Sequence, residues 1–584
     1  VSKFSSRKSG RASQKALLTI FFTTFKMKEV SLLIGGQAGD GIKQAGNAIA
    51  RFFNRLGYYA FVYEDYPSLI RGGHNFAVIR VCEKKILAHK SRISVLVALN
   101  QETIEKHANS LTEDGIVIFD SSCCSFEGEN ALAIPMSEIA KSENLPLIVR
   151  NVIALGALAA LFGAEFSIIE DVIKSTLKKK VEENIKVAKK GYEEIEKFGK
   201  KGIFKLNVLG NEKKYLLTGN EATALGLVKG GLKLYIAYPM TPASSILHYL
   251  AAHEDELGIR AVHPENEIAV IGMAQGAAYA GVRTAVGTSG GGFALMVEHL
   301  SLSGQAEIPL VAILSQRPAP ATGVPTYTMQ GDLFFAMFAG HGEFPRIVLA
   351  PGDAEEAYLL SAKAMNLAWK FQVPVILLLD KHLSESTFAC EIKDFSVSVE
   401  EPLLWNGEGE YKRYLQTENG ISPLAFPGTK NAVVKINSYE HDEFGITVED
   451  AELVKKGFEK RLRKMHTIEN YVANEEADAV KVYGNEESNT ALVFWGSTKG
   501  SAVEVAENLG IKAVQPVFLY PLPEEKLKAE LNSCEKVIVA ETNSTGQLAQ
   551  WLKWHGIKVS EVILRYDARP FTVDELEEKV KSLL

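Results

Sequence analysis

Three short stretches of the chain hold side chains whose types and spacing could do chemistry. In YPMTPASS, residues 238–245, Thr241 stands between Pro239 and Pro242, which bias Tyr238 and Thr241 toward extended dihedrals and suit Pro242 to the first turn of a helix, ASSILHYLAAH. Thr241 is then expected as the helix N-cap, its hydroxyl accepting the Ser244 backbone N–H. A strand end feeding a helix N-terminus is also where α/β sheets bind anionic ligands, and the geometry permits both roles. In VHPENEIAVIGMAQGAAYAGVR, Glu265 and Glu267 follow a strand and precede a small-residue helix. Either carboxylate favours a helix N-terminus electrostatically. A catalytic use of one requires it to be buried and to share its proton with a heterocyclic nitrogen. In GTSGGGFALMVEHL, Gly290 and Gly291 again join a strand to a helix and permit close backbone approach to a ligand.

Positioning such residues takes strands that deliver them to one edge of a sheet, and the chain reads as repeated α/β alternation. From Met27, the run VSLLIGG leads into the turn GGQAGDG and the helical pattern IKQAGNAIARFFNRLG, the opening of a doubly wound domain. Strands are expected at Tyr59–Tyr63, Asn75–Val81, Ser94–Ala98, Gly115–Phe119 and Pro146–Arg150, with helices over Ile153–Phe162 and Ile168–Phe198. A second unit, 206–395, has strands at Arg260–Val262, Thr284–Gly287, Leu310–Leu314 and Val373–Leu379. Residues 396–485 lose the alternation and read as a connector carrying the charged helix AELVKKGFEKRLRKMHTIENYV, and a third α/β unit fills 486–584. The fold class is therefore multi-domain α/β with doubly wound sheets.

Length and composition agree with several ordinary domains: 584 residues, 46% hydrophobic and 23% charged, with net charge −7. This excludes the strongly basic profile of a nucleic-acid binder. Before Met27, a basic stretch and ALLTIFFTTF imitate a signal peptide, yet no small-residue cleavage site follows and the apolar run is too short to span a membrane. We expect residues 1–26 to be a disordered extension or a misassigned start, and the protein to be cytoplasmic without a membrane partner.

Two features exclude resident metal chemistry on this chain. The five cysteines, Cys82, Cys123, Cys124, Cys390 and Cys534, form no C-x-x-C pair for zinc or an iron–sulfur cluster. Gly39–Asp40–Gly41 imitates the GDG of thiamine diphosphate enzymes, but it lies inside the first strand–helix turn and Asn75 is slightly too distant, so it reads as a backbone turn.

Taken together, GGQAGDGIKQAG, YPSLIRGGHNFAVIRV, GNEATALG, YPMTPASS, the Glu265 region, TSGGGFALM, SQRPAPATGVPTYTMQGDL, ETNSTGQLAQWL and YDARPF resemble the 2-oxoacid:ferredoxin oxidoreductases. The resemblance is to the alpha subunit in which a gamma-type domain (here 27–205) is fused ahead of a pyrimidine-binding domain (206–395) and a transketolase-C-like domain (486–584). Met240 and Ala243 depart from the family's Tyr-Pro-Ile-Thr-Pro-Ser-Ser. The resemblance implies coenzyme A-dependent oxidative decarboxylation of a 2-oxoacid, with electrons passed to ferredoxin. It further implies thiamine diphosphate shared with a beta subunit that carries Mg2+ and a [4Fe–4S] cluster, in an (αβ)2 assembly. Glu265 resembles the carboxylate that hydrogen-bonds the pyrimidine, with Glu267 the second choice. Thr241 resembles the residue that approaches the substrate's carboxylate or keto oxygen, with Tyr238 lining the same pocket and Gly290 and Gly291 near the cofactor. Gly35, Gly36 and Arg71 resemble gamma-domain positions for coenzyme A, although Arg71 is equally readable as a surface ion pair. Tyr327 stands where members acting on 2-oxoglutarate carry a basic residue, which implies pyruvate or another monocarboxylic substrate. Arg317 is a candidate anion partner or a structural ion pair. A non-catalytic coenzyme-binding or assembly subunit is the alternative.

Overall fold

The computed structural model describes residues 25–26, 28–69, 72–210, 214–392, 397–474 and 477–584. The segment 1–24 lies outside the described residues, as does Arg71. Phe25–Lys26 pairs in parallel with Phe204–Lys205, where the sequence led us to expect no structure. No helix of the described residues is long and apolar enough to cross a membrane.

Three sheets organise the chain. The first has eight strands, in the spatial order Ala131–Ile134, Leu111–Asp120, Ile93–Ala98, Glu29–Gln37, His74–Cys82, Tyr59–Asp65, Thr387–Cys390 and Tyr215–Thr218. Its first four strands run parallel, and from Glu29–Gln37 onward each pair is antiparallel. The sheet is thus half doubly wound and half meander, and its last two strands come from beyond residue 205, one on either side of the middle unit. Pro146–Arg150 is not a strand: a short 3-10 turn over Leu147–Val149 leads into the helix Arg150–Leu161. Leu147 and Ile148 are each 45% exposed, so this apolar run is not buried as an inner strand would be.

The second sheet has seven strands in the order Arg260–Val262, Leu234–Ile236, Thr284–Thr288, Leu310–Gln316, Pro374–Asp380, Ile347–Leu349 and Phe518–Tyr520. All are parallel except the last, an antiparallel strand lent by the C-terminal unit. The inner strands Leu310–Gln316 and Pro374–Asp380 are buried at every residue, as expected of a sheet covered on both faces. The third sheet, of five strands, contains the remaining C-terminal strands, with Val480–Gly484 antiparallel at its edge.

The connector is packed. Its helix Ala451–Ala473 starts at Asp450, whose side chain accepts from the backbone N–H groups of Glu452 and Leu453. From it the ammonium groups of Lys460 and Lys464 converge on the buried Glu307, Lys460 at 2.6 Å and Lys464 at 2.5 Å. Arg413 donates to the carbonyls of Ala306 and Glu307, and the Tyr414 hydroxyl to that of Ala306. These carbonyls lie just past the helix Gly290–Gln305, so the connector supplies donors and positive charge to that helix's C-terminal end.

Candidate active site

The C-terminal edge of the second sheet gathers the chemistry. Strand Leu234–Ile236 exits into YPMTPASS, Thr284–Thr288 exits into the glycine turn, and Leu310–Gln316 exits at Arg317. These exits lie side by side because their strands are hydrogen-bonded neighbours.

The exit at Thr241 differs from the expectation. The helix runs Ser244–Ala252 with Ala243 at the N-cap and no side-chain capping bond, so Thr241 is not the cap. A turn intervenes, with the Ala243 N–H donating to the Met240 carbonyl. The Thr241 carbonyl accepts from Arg317 Nη1 at 2.7 Å. Asn220 pins the other side of the loop, its Nδ2 donating at 2.7 Å both to the Pro242 carbonyl and to Ser245 Oγ. Asn220 is held in place by the Thr218–Glu221 capping box that begins its helix. Met240, which stands where the resemblance has Ile, accepts the Thr288 hydroxyl on its sulfur at 3.9 Å. Tyr238 is 37% exposed with its ring edge-on to His263.

The two glutamates separate clearly. Asn266 is the N-cap of the helix Glu267–Tyr279, its side chain accepting from the Ala269 N–H at 3.0 Å. Glu265 therefore lies outside the helix and is exposed, whereas Glu267, the first helical residue, is buried. Its Oε1 has no hydrogen-bond partner among the described residues. A methyl group added at Gly292 would run into this carboxylate and the Thr288 hydroxyl, so Gly292 is the member of the glycine turn whose missing side chain makes the room. At Gly291 a methyl meets nothing, and at Gly290 its near neighbour is Asp332 Oδ2. Ser289 Oγ is likewise buried and unpartnered among the described residues. An unpartnered buried polar atom costs about 1–3 kcal/mol, so two of them beside one glycine turn call for a ligand.

Asp332 borders the same turn. Its N–H donates to Gln316 Oε1 at 2.9 Å, its Oδ2 has no partner among the described residues, and burial pushes its carboxyl up to about 6. A folded-state pKa above the unfolded value means that the unfolded chain ionises first as pH rises, so stability falls between about pH 4 and 6 and stays lower above. Asp332→Asn is therefore expected to raise stability at pH 7 by about 1–3 kcal/mol and to leave it nearly unchanged at pH 4, as read by denaturant melts at the two pH values. Equal effects at both would refute the assignment.

Arg317 is half-buried, and burial alone pulls its guanidinium down, with no carboxylate holding it up. It is not a structural ion pair among the described residues and is free to meet an anion. Tyr327 is placed otherwise. Its hydroxyl donates to Asp65 Oδ1 at 3.2 Å and its ring lies 3.8 Å beneath the Arg569 guanidinium, whose Nε pairs with Asp65 Oδ2 at 3.0 Å. All three sheet units meet at this residue, and the loop that begins at Arg317 is fastened there.

Gly35 and Gly36 lie in strand Glu29–Gln37 of the first sheet, not in the sheet that carries the Glu267 turn. Side chains there would strike Thr103 and Asp40 respectively, so each serves close packing. Asp40 of the GDG triplet uses Oδ2 to accept the Gln37 N–H at 2.9 Å and Oδ1 to pair with Arg150 at 2.7 Å, which makes it a turn brace. Ser289, Asn220 and Asp332, which the sequence did not single out, stand beside the same strand exits as Glu267.

Comparison with known proteins finds relatives over nearly the whole chain. Residues 226–460 match the family described as pyruvate flavodoxin/ferredoxin oxidoreductase, thiamine diP-bdg, and residues 31–194 match pyruvate ferredoxin/flavodoxin oxidoreductase. The 2-oxoacid:ferredoxin oxidoreductase subunit alpha of Saccharolobus solfataricus is 32% identical, over 95% of this chain and 98% of that one. The 2-oxoglutarate oxidoreductase subunit KorA of Mycobacterium tuberculosis is 26% identical over 96% and 92%. Among solved structures, the 2-oxoglutarate:ferredoxin oxidoreductase from Magnetococcus marinus, with 2-oxoglutarate, coenzyme A and succinyl-CoA bound, superposes with a TM-score of 0.88 at 31% identity, covering 95% of this chain and 100% of that one.

Proposed function

Because the chain belongs to the alpha subunits of the 2-oxoacid:ferredoxin oxidoreductases, we propose that it forms the pyrimidine-binding half of a split active site for coenzyme A-dependent oxidative decarboxylation. The observation that carries this reading is the buried Glu267 Oε1, unpartnered among the described residues and facing Gly292. It fits the aminopyrimidine of thiamine diphosphate, which offers a ring nitrogen for a carboxyl to bond and an amino group to donate. When bound, thiamine diphosphate supplies the electron sink that makes loss of a 2-oxoacid's carboxylate feasible.

This chain's residues hold and position. Glu267, in place of the exposed Glu265, holds a proton at Oε1 toward the cofactor nitrogen. Gly292 keeps the space beside it open, the Thr288 hydroxyl borders it, and Ser289 Oγ offers a further polar contact at the helix N-terminus. Arg317 binds the substrate carboxylate and at the same time fixes the Thr241 loop through its carbonyl bond. Tyr238 forms the outer wall. The diphosphate, Mg2+ and a [4Fe–4S] cluster belong in this reading to a beta subunit, ferredoxin accepts the electrons, and the assembly is (αβ)2 and cytoplasmic. Gly35, Gly36 and Arg71 remain the residues proposed for coenzyme A.

A monocarboxylic 2-oxoacid such as pyruvate is the favoured substrate, because Tyr327 brings no cation of its own. One observation favours 2-oxoglutarate instead: Arg569 lies over the Tyr327 ring and supplies a guanidinium from another unit. Both readings are tested together. The chain alone is expected to show no 2-oxoacid-dependent reduction of a viologen dye, and the complex with its beta subunit to show turnover with pyruvate exceeding that with 2-oxoglutarate. Turnover by the chain alone would refute the split site. If Arg569→Gln selectively raises KM for 2-oxoglutarate, the second reading prevails.

A further inference from the structure

Cys123 and Cys124 are adjacent in the turn that follows strand Leu111–Asp120 of the first sheet, whereas the Glu267 turn belongs to the second. Both N–H groups donate to the Asp120 carbonyl, at 3.1 and 2.9 Å, which folds the two residues back over the strand end. That turn brings their side chains together, with Sγ to Sγ 3.6 Å. Cys123 is exposed and Cys124 buried. If they were simply one surface and one core residue, nothing would require the two sulfurs to touch.

The surroundings tie the pair to a buried charge cluster. Cys123 Sγ donates to the Leu99 carbonyl at 3.6 Å and accepts from Arg150 Nη1 at 3.8 Å. Arg150 bonds the same Leu99 carbonyl at 2.9 Å and Asp120 at 3.3 Å, and its Nη2 pairs with Asp40 at 2.7 Å. The exposed sulfur thus lies one contact from the brace of the glycine turn 35–41.

We propose that Cys123 and Cys124 are a reversible redox modification site, a vicinal dithiol that closes to a disulfide by exchange with low-molecular-weight disulfides. Cys123, the accessible member, attacks the disulfide RS–SR as thiolate. Its sulfur bonds to one sulfur of the reagent, the S–S bond breaks, and the first RS⁻ leaves and takes up the proton. Cys124 then attacks the Cys123 sulfur, the new mixed disulfide breaks, and the second RS⁻ leaves with the Cys124 proton. Two protein thiols are oxidised and one small disulfide is reduced to two thiols. Burial pushes both thiols up, Cys124 strongly, so Cys123 holds the larger thiolate share and reacts first. Closure needs the sulfurs to move from 3.6 Å to about 2.05 Å, and because neighbouring Cα atoms lie closer than the usual disulfide span, the peptide of the turn must twist with the side chains. A ring formed by neighbouring residues is strained, so it is reduced readily and suits a labile switch better than a staple. Closure also removes the S–H from Leu99 and draws the sulfur away from Arg150.

The test is peptide mass spectrometry on the full chain after incubation with excess 2-hydroxyethyl disulfide and alkylation. The wild-type peptide holding both cysteines is expected to lose two hydrogens, escape alkylation, and regain both thiols with reductant. Cys124→Ser is expected to stop at a stable mixed disulfide on Cys123. Cys123→Ser, a surface change that leaves the fold intact, is expected to give neither product. A wild-type chain that keeps the adduct as stably as Cys124→Ser, or that remains fully alkylated at Cys123, would overturn the proposal.

Discussion

Replacing Glu267 with Ala in the assembled complex is expected to lower kcat by about 10²–10⁴-fold, the range over which a positioned acid–base group contributes, whereas Glu265→Ala is expected to leave it within about twofold. The reasoning rests on where the helix begins. Asn266 caps it, Glu267 opens it, and the buried stripe Val270, Ile271, Ala274 and Ala278 extends back to Glu267. Glu265, outside that frame, is exposed. Stability supplies a second reading of the same variant. Removing a buried carboxyl whose Oε1 has no partner among the described residues should not weaken the isolated chain, and its melting temperature is expected to hold or rise while activity collapses, the trade typical of functional positions. If Glu265→Ala proved the damaging change, the assignment would fail outright.

Glu307→Ala is expected to cost about 3–5 kcal/mol, because it strands two buried ammonium groups, Lys460 and Lys464, in the interior. Burial pushes the Glu307 carboxyl up, but the two lysines with Arg413 hold it well below the usual range. Its contribution is therefore present above the ordinary carboxylate pKa and is lost only as pH falls through the depressed folded value, so it persists into strongly acidic solution. The double variant Glu307→Met with Lys464→Met should recover part of the loss in urea melts, since it removes one of the two stranded charges and leaves only that of Lys460. Because this cluster anchors the far end of the helix Gly290–Gln305, the single variant is also expected to raise KM for substrate in the complex. An unchanged urea midpoint would contradict the account.

Much of this was legible in the sequence, for identifiable reasons. Buried parallel strands such as Leu310–Gln316 stand out as unbroken apolar runs between turn residues, and the charged connector helix was marked by its 3.6-residue pattern. What escaped depended on contacts distant in sequence. Thr241 looked like a cap because Pro242 suits a first turn, yet Asn220 and Arg317 hold that loop as a separate turn ahead of Ala243. Tyr327 looked like a substrate contact because of the basic residue that stands at its place in related proteins, but its partners Asp65 and Arg569 come from the two outer units. Glu267 was the exception: the spacing of Val270, Ile271 and Ala274 already put it on the buried face, and that signal was there to be read.

The strand Thr387–Cys390, paired with Tyr59–Asp65 across the unit boundary, also bears on how the protein is made. On the ribosome the Tyr59–Asp65 edge emerges roughly 300 residues before its partner, which at ~5–20 residues per second leaves an unpaired strand edge exposed for about 15–60 s. Such an edge is a template for pairing with other nascent chains, so low temperature, slow translation or chaperone binding during expression should govern soluble yield more strongly than the stability of the finished molecule.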